Sequence, residues 1–226
     1  MESAVDASDH RGTVLIVGGG EGLGASVARA FARRSYGVAL AARTADTVDR
    51  VMETLPGSGP RLSLVADASS DEDMARVVHE TRQNLGEIDA VVYNAAAIRA
   101  DAPGDLTSAE HLRLYDVNVV GALRLAKLTL QRRAAGERAL TFIVTGGMPI
   151  AKPSYTSLSL GKAALRALTH ALAEEYSADG IRVGMVTIDG GITRGTNLDP
   201  DRIAEEYWRF HSSPTPPWRG ELVLTP

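Results

Sequence analysis

What most constrains this chain is a rhythm. Short runs of apolar, often β-branched residues alternate with longer stretches of mixed polarity from Thr13 almost to the last residue. Thr13-Val14-Leu15-Ile16-Val17 comes first, and similar runs recur at 38–42, 62–66, 88–93, 141–145 and 181–187, with a short one at 221–224. The first stops abruptly at Gly18-Gly19-Gly20 and the third closes on Asp67, which marks them as strands rather than helix segments. Their apolar residues are consecutive, so both faces of the sheet are buried. Between them, Leu23, Val27, Ala30 and Phe31 recur at the spacing of a helix face. Helices are likewise expected over 45–55, 71–85, 107–133 with a break near Gly121, 154–176, and onward from Pro200. Alternation of this kind predicts an α/β fold with a doubly wound parallel sheet and helices on both faces.

One domain, residues 13–226, is expected after a flexible N-terminal segment, residues 1–12. Acidic and basic residues are interspersed, with a net charge of -4, so no basic stripe awaits a nucleic acid. The chain has no cysteine, which excludes disulfides and thiolate-ligated metal. Histidines and carboxylates show no metal-ligand spacing, and His79, His111, His170 and His211 are expected at the surface. Residues 1–12 lack the pattern of a signal peptide, and no apolar run approaches the ~20 residues of a membrane span. A cytoplasmic protein acting on a small molecule is the expectation.

In such a sheet ligands bind beyond the carboxyl ends of the strands. After the first strand, Gly18-Gly19-Gly20-Glu21-Gly22-Leu23-Gly24 lets the chain turn tightly and a pyrophosphate approach the backbone at a helix N-terminus. This is the sign of a Rossmann fold. The second strand ends in Ala42-Arg43-Thr44. An arginine there suits the 2′-phosphate of NADP, where NAD binders usually place a carboxylate. Glu21 pulls the other way, because it could sit near that phosphate.

These residues carry a resemblance to the short-chain dehydrogenase/reductase family. Val17-Gly18-Gly19-Gly20-Glu21-Gly22-Leu23-Gly24 resembles its glycine turn, with valine for threonine. Asp67-Ala68 is similar to its pair beside the adenine ring, and Tyr93-Asn94-Ala95-Ala96 to its Asn-Asn-Ala-Gly segment. Asn118 and Lys162 match two members of the family's catalytic tetrad. The resemblance further implies that Gly190, Ile192 and Thr193 adjoin the nicotinamide carboxamide, with Ile188 or Asp189 where the family has proline.

In the family a tyrosine, brought down from a pKa near ~10 by the lysine, gives its proton to the substrate oxygen, and a serine holds that oxygen. This chain departs at both positions. Leu158 stands four residues before Lys162, and Thr145-Gly146-Gly147 offers no serine. Thr145 is a candidate hydroxyl donor and Tyr155 a candidate proton donor, although seven helical residues separate Tyr155 from Lys162 by ~10 Å. Lys162 could then hold the nicotinamide ribose, and Asn118 a water against it.

Three functions stay open: an NADP(H)-dependent oxidoreductase acting on a carbonyl, an alcohol or an activated alkene; a cyclase, isomerase or lyase on the same fold; and a non-catalytic nucleotide-binding protein. Few residues separate Thr193 from the helix near Pro200, so the pocket should be open or closed by another subunit. By resemblance, the helices at 107–133 and 154–176 would pair in a homo-oligomer.

Overall fold

Residues 10–130, 139–215 and 220–226 are described by the structure, a computed structural model. The strands are β1 (Thr13–Val17), β2 (Gly37–Ala42), β3 (Arg61–Val65), β4 (Ile88–Tyr93), β5 (Thr141–Gly147), β6 (Arg182–Ile188) and β7 (Gly220–Leu224). All pair in parallel, in the order β3-β2-β1-β4-β5-β6-β7. Winding runs outward from β1 to β3, then returns to β4 on the other side. That reversal opens a crevice above the ends of β1 and β4.

Seven α-helices connect the described strands: α1 (Leu23–Ala32), α2 (Ala45–Glu53), α3 (Asp71–Leu85), α4 (Ser108–Tyr115), α5 (Gly121–Thr129), α6 (Thr156–Glu175) and α7 (Pro200–Ser212). Strand side chains alternate between two cores. Val14 and Ile16 pack with Val27, Phe31, Val48 and Phe210 from α1, α2 and α7. Leu15 and Val17 pack with Val77, Leu125 and Leu165 from α3, α5 and α6. Each such fully buried side chain contributes about 1.5–3 kcal/mol, which is why consecutive apolar residues specify a strand covered on both sides.

Some boundaries differ from the sequence expectation. The helix expected over 107–133 becomes α4, a π turn at Asp116–Val120 and then α5. Leu130 has already left the helical conformation, and residues 131–133 lie outside the described residues. The break thus precedes Gly121. Its extra residue carries Asn118 inward, where its amide binds both the N–H and the C=O of Ala97 (2.9 and 3.1 Å). β5 runs two residues further than expected, Gly146 and Gly147 pairing with Thr187 and Ile188.

Residues 1–9 of the segment expected to be flexible lie outside the described residues. Residues 10–12 are bound to the domain, since Arg11 N–H donates to Ser35 O and Gly12 O accepts from Gly37 N–H. His211, expected at the surface, is buried between the Tyr36 hydroxyl (2.8 Å) and Thr141 Oγ1 (3.0 Å). Helical periodicity places it on the α7 face that meets α1. Ser212 is the last residue of α7.

Candidate active site

A cavity of about 590 Å3 lies beyond the strand ends. Its walls include Gly18, Gly20, Gly22, Leu23 and Gly24 after β1, Arg43 and Thr44 after β2, and Asp67 and Ala68 after β3. Asn94, Ala95 and Ala96 follow β4, Gly190 and Ile192 follow β6, and Lys162 projects from α6.

The glycine turn has the form a dinucleotide needs. Gly18 has φ +98°, and a Cβ there would lie 2.3 Å from Ala95 N. A Cβ on Gly24 would lie 2.5 Å from Gly18 O, so the helix approaches the turn at a distance that only glycine allows. At Gly20 and Gly22 a Cβ would meet nothing within 4 Å, which leaves the main chain open to the cavity. α1 starts without a side-chain cap and without an acidic residue in its first turn. Its N–H groups and positive end are therefore presented to an anion.

Arg43 is exposed and pairs with no carboxylate among the described residues within ion-pair distance. Asp67 holds its carboxyl below the ordinary range, first through hydrogen bonds from the Ser69 N–H and hydroxyl (2.8 and 2.7 Å) and then through the charge of Arg43. Thr44 caps α2 by accepting from Thr47 N–H.

The other half of the cavity is lined by Ala97, Ile98, Val117, Thr145, Gly147, Met148, Lys152 and Leu158. Lys162 is 5% exposed, and its Nζ donates to Thr145 O at 2.8 Å. Burial without a carboxylate partner lowers its pKa to about 8. The Thr145 hydroxyl is committed elsewhere: it donates to Asn94 Oδ1 (2.8 Å) and, with its hydrogen so used, accepts from Tyr207 OH (2.7 Å). Asn94 Nδ2 in turn donates to Gly18 O at 2.7 Å. No tyrosine is among the lining residues.

Residues 12–206 match the family model for short chain dehydrogenases. The chain belongs to the short-chain dehydrogenase family. It is 32% identical over 178 residues to the oxidoreductase UcpA of Salmonella typhimurium, covering 77% of this chain and 67% of that one. Glucose 1-dehydrogenase of Gluconobacter oxydans is 29% identical over 198 residues, 86% of this chain and 74% of that one. A short chain dehydrogenase from Mycobacterium smegmatis superposes with a TM-score of 0.84 at 20% identity, covering all of this chain and 95% of that one.

Within this family frame, several expected site residues stand elsewhere. Glu21 forms an ion pair with Arg50 (2.9 Å) and does not line the cavity. Thr193 lies in a separate shallow hollow with Arg202 and Pro226, because the chain turns back at Gly195 to start α7. Tyr155 sits at the half-buried start of α6, outside the lining. Asn118 is 0% exposed and spends its amide on Ala97.

Two supporting residues were not singled out from sequence. Asp101 is buried and accepts from Ser157 N–H (3.0 Å) and Ser157 Oγ (2.7 Å), so it caps α6 from 56 residues away. Tyr207 was readable only as a core position of α7. Among the described residues, no group of histidines and carboxylates could hold a metal ion, and no helix is long and apolar enough to cross a membrane.

Proposed function

We propose that the chain binds NADP(H) in preference to NAD(H) and catalyses hydride transfer to or from a small-molecule carbonyl, alcohol or activated alkene, with a tetrad that has lost its tyrosine and serine. The observation that carries the cofactor preference is Arg43, exposed and unpaired at the end of β2, facing no carboxylate but the Asp67 that Ser69 already holds. The relatives named oxidoreductase and glucose 1-dehydrogenase support the reaction class.

When bound, the nicotinamide supplies the hydride. The open backbone at Gly20 and Gly22 and the start of α1 receive the pyrophosphate, Arg43 holds the 2′-phosphate, and Asp67 and Ala68 flank the adenine. Leu158 takes the place of the tyrosine and walls the pocket. Thr145-Gly146-Gly147 supplies no serine, and at Gly147 a side chain would have room. With Thr145 bonded to Asn94 and Tyr155 outside the cavity, Lys162 is the buried acid that remains. Its ammonium, at about pKa 8, keeps N–H groups beyond the one given to Thr145 O for a ribose hydroxyl or a substrate oxygen. A non-redox reaction on the same fold is the second reading, and Leu158 is what favours it. Exposed Leu112, Tyr115, Leu123 and Leu160 on α4, α5 and α6 support pairing of these helices in a homo-oligomer.

Titration with NADPH and with NADH, followed by nicotinamide fluorescence, tests this. Arg43→Ala should weaken NADPH by about tenfold or more, as loss of a charge-assisted bond does, and leave NADH unchanged. Equal NADPH affinity in both proteins would remove the preference. Turnover without nucleotide oxidation would favour the second reading.

A further inference from the structure

The substrate half of the cavity combines an apolar wall with a cation at its mouth, the exposed Lys152. Leu158 is 4% exposed and forms part of the wall, while Ile98, 71% exposed, presents apolar surface that no described residue covers. Surface of this kind at a cavity mouth favours an apolar ligand body.

Lys152 stands at the same mouth. Its main chain is pinned on both sides: its N–H donates to Ser159 Oγ (3.0 Å), a buried residue of α6, and its C=O accepts from Tyr155 N–H (3.0 Å). The approach to it is equally defined, since Met148 leaves β5 with φ 47°, a left-handed conformation unusual for a non-glycine residue. The Lys152 side chain makes no ion pair among the described residues. Asp189, the carboxylate lining this half, pairs with neither Lys152 nor Lys162. A lysine held in position at its backbone, with its charge unanswered beside apolar surface, is complementary to a ligand that brings its own negative charge.

We infer that the substrate is a carboxylate-bearing carbonyl compound or the matching hydroxy acid, its apolar body against Leu158 and Ile98 and its carboxylate on Lys152. This rests on the oxidoreductase reading for the carbonyl and on Lys152 alone for the acid. Lysine suits the role because an ammonium on a flexible stem can follow carboxylates at different reach.

The test uses levulinate and benzoylpropionate, each beside its methyl ester, titrated into the full chain with and without NADP+ and followed by ligand-observed NMR. The acids are expected to bind about tenfold more tightly than their esters, the order of a hydrogen bond to a charged group. Lys152→Met should abolish that preference, and Lys152→Glu should reverse it, while NADPH affinity stays unchanged in both. Acid and ester binding alike, binding of neither, or a preference for the acid that survives in Lys152→Met would each overturn the inference. The two readings fail separately. Lys152-dependent binding of acids without any NADPH oxidation would keep the acid and remove the redox reaction. NADPH oxidation by the esters as readily as by the acids would do the opposite.

Discussion

The nucleotide half and the chemical half of the cavity are built in different materials. Around β1 and α1 the wall is main chain: glycines, peptide N–H groups and a helix end. Around β5 and α6 the side chains of Lys162, Leu158 and Lys152 take part in the wall. A main-chain site is fixed by sterics where the backbone packs on itself, as at Gly18 and Gly24, which leave no room for a Cβ. A side-chain site can lose one group after another while the fold persists, because an apolar residue such as the buried Leu158 can fill its place. On the proposed reading, this contrast is how a chain could keep the family's cradle while a leucine stands where the proton donor is expected.

The largest test sets two glycines against each other. Gly18→Ala would place a Cβ 2.3 Å from Ala95 N in a left-handed conformation, and it should destabilise the protein by about 3–5 kcal/mol and abolish NADPH binding. At Gly147 a Cβ would find Ile188 O at 3.7 Å and Lys162 Cε at 4.0 Å, which are ordinary contacts. Gly147→Ala should therefore stay within about 0.5 kcal/mol of the wild type. Urea denaturation of the two variants measures the difference, and similar losses in both would erase the contrast between the halves.

A second test concerns the cost of the chemical half. Lys162 has a pKa of about 8 in the folded protein, lowered by burial from an ordinary 10.5. Between these values the unfolded chain binds the proton and the folded chain releases it, so stability rises with pH across that window. At roughly 1.4 kcal/mol per pH unit, the gain amounts to about 3 kcal/mol. In Lys162→Met this rise should vanish, and above pH 10.5 the two stability curves should run parallel. A rise of equal size in the variant would assign it to other groups and leave Lys162 without the strained charge that the proposed chemistry uses.

Legibility followed the same division. Gly18, Gly24 and Arg43 could be read from sequence because backbone geometry demands the first two and strand-end position marks the third. The inner strands such as β1 and β4 were legible because burial on both faces forces consecutive apolar residues, whereas β3 and β7 at the sheet edges are mostly half-buried or exposed. What escaped depends on distant packing. Nothing near α6 announces that Asp101 caps it, nothing near β5 announces Tyr207, and Glu21 could not be seen to meet Arg50 until α2 was placed. The break before α5 was legible as a break, but its π turn depends on Asn118 reaching the peptide of Ala97.

The smallest effect asks whether the halves are separate at all. Tyr207 on α7 is fully buried, and its hydroxyl bonds Thr145, which bonds Asn94, which bonds the carbonyl of Gly18. Thr145 thus belongs to both halves, its carbonyl receiving Lys162 and its side chain bracing the glycine turn. Tyr207→Phe keeps the ring and removes one hydrogen bond, so it should cost about 1 kcal/mol of stability. If the chain of bonds braces the turn, NADPH affinity should also fall, by a few-fold, and Thr145→Val should cause a similar fall that is not additive with it. Unchanged affinity in Tyr207→Phe with the stability loss intact would make the tyrosine a core residue alone. The two halves would then share a sheet and nothing more, and the loss of chemical groups from one would have left the other untouched.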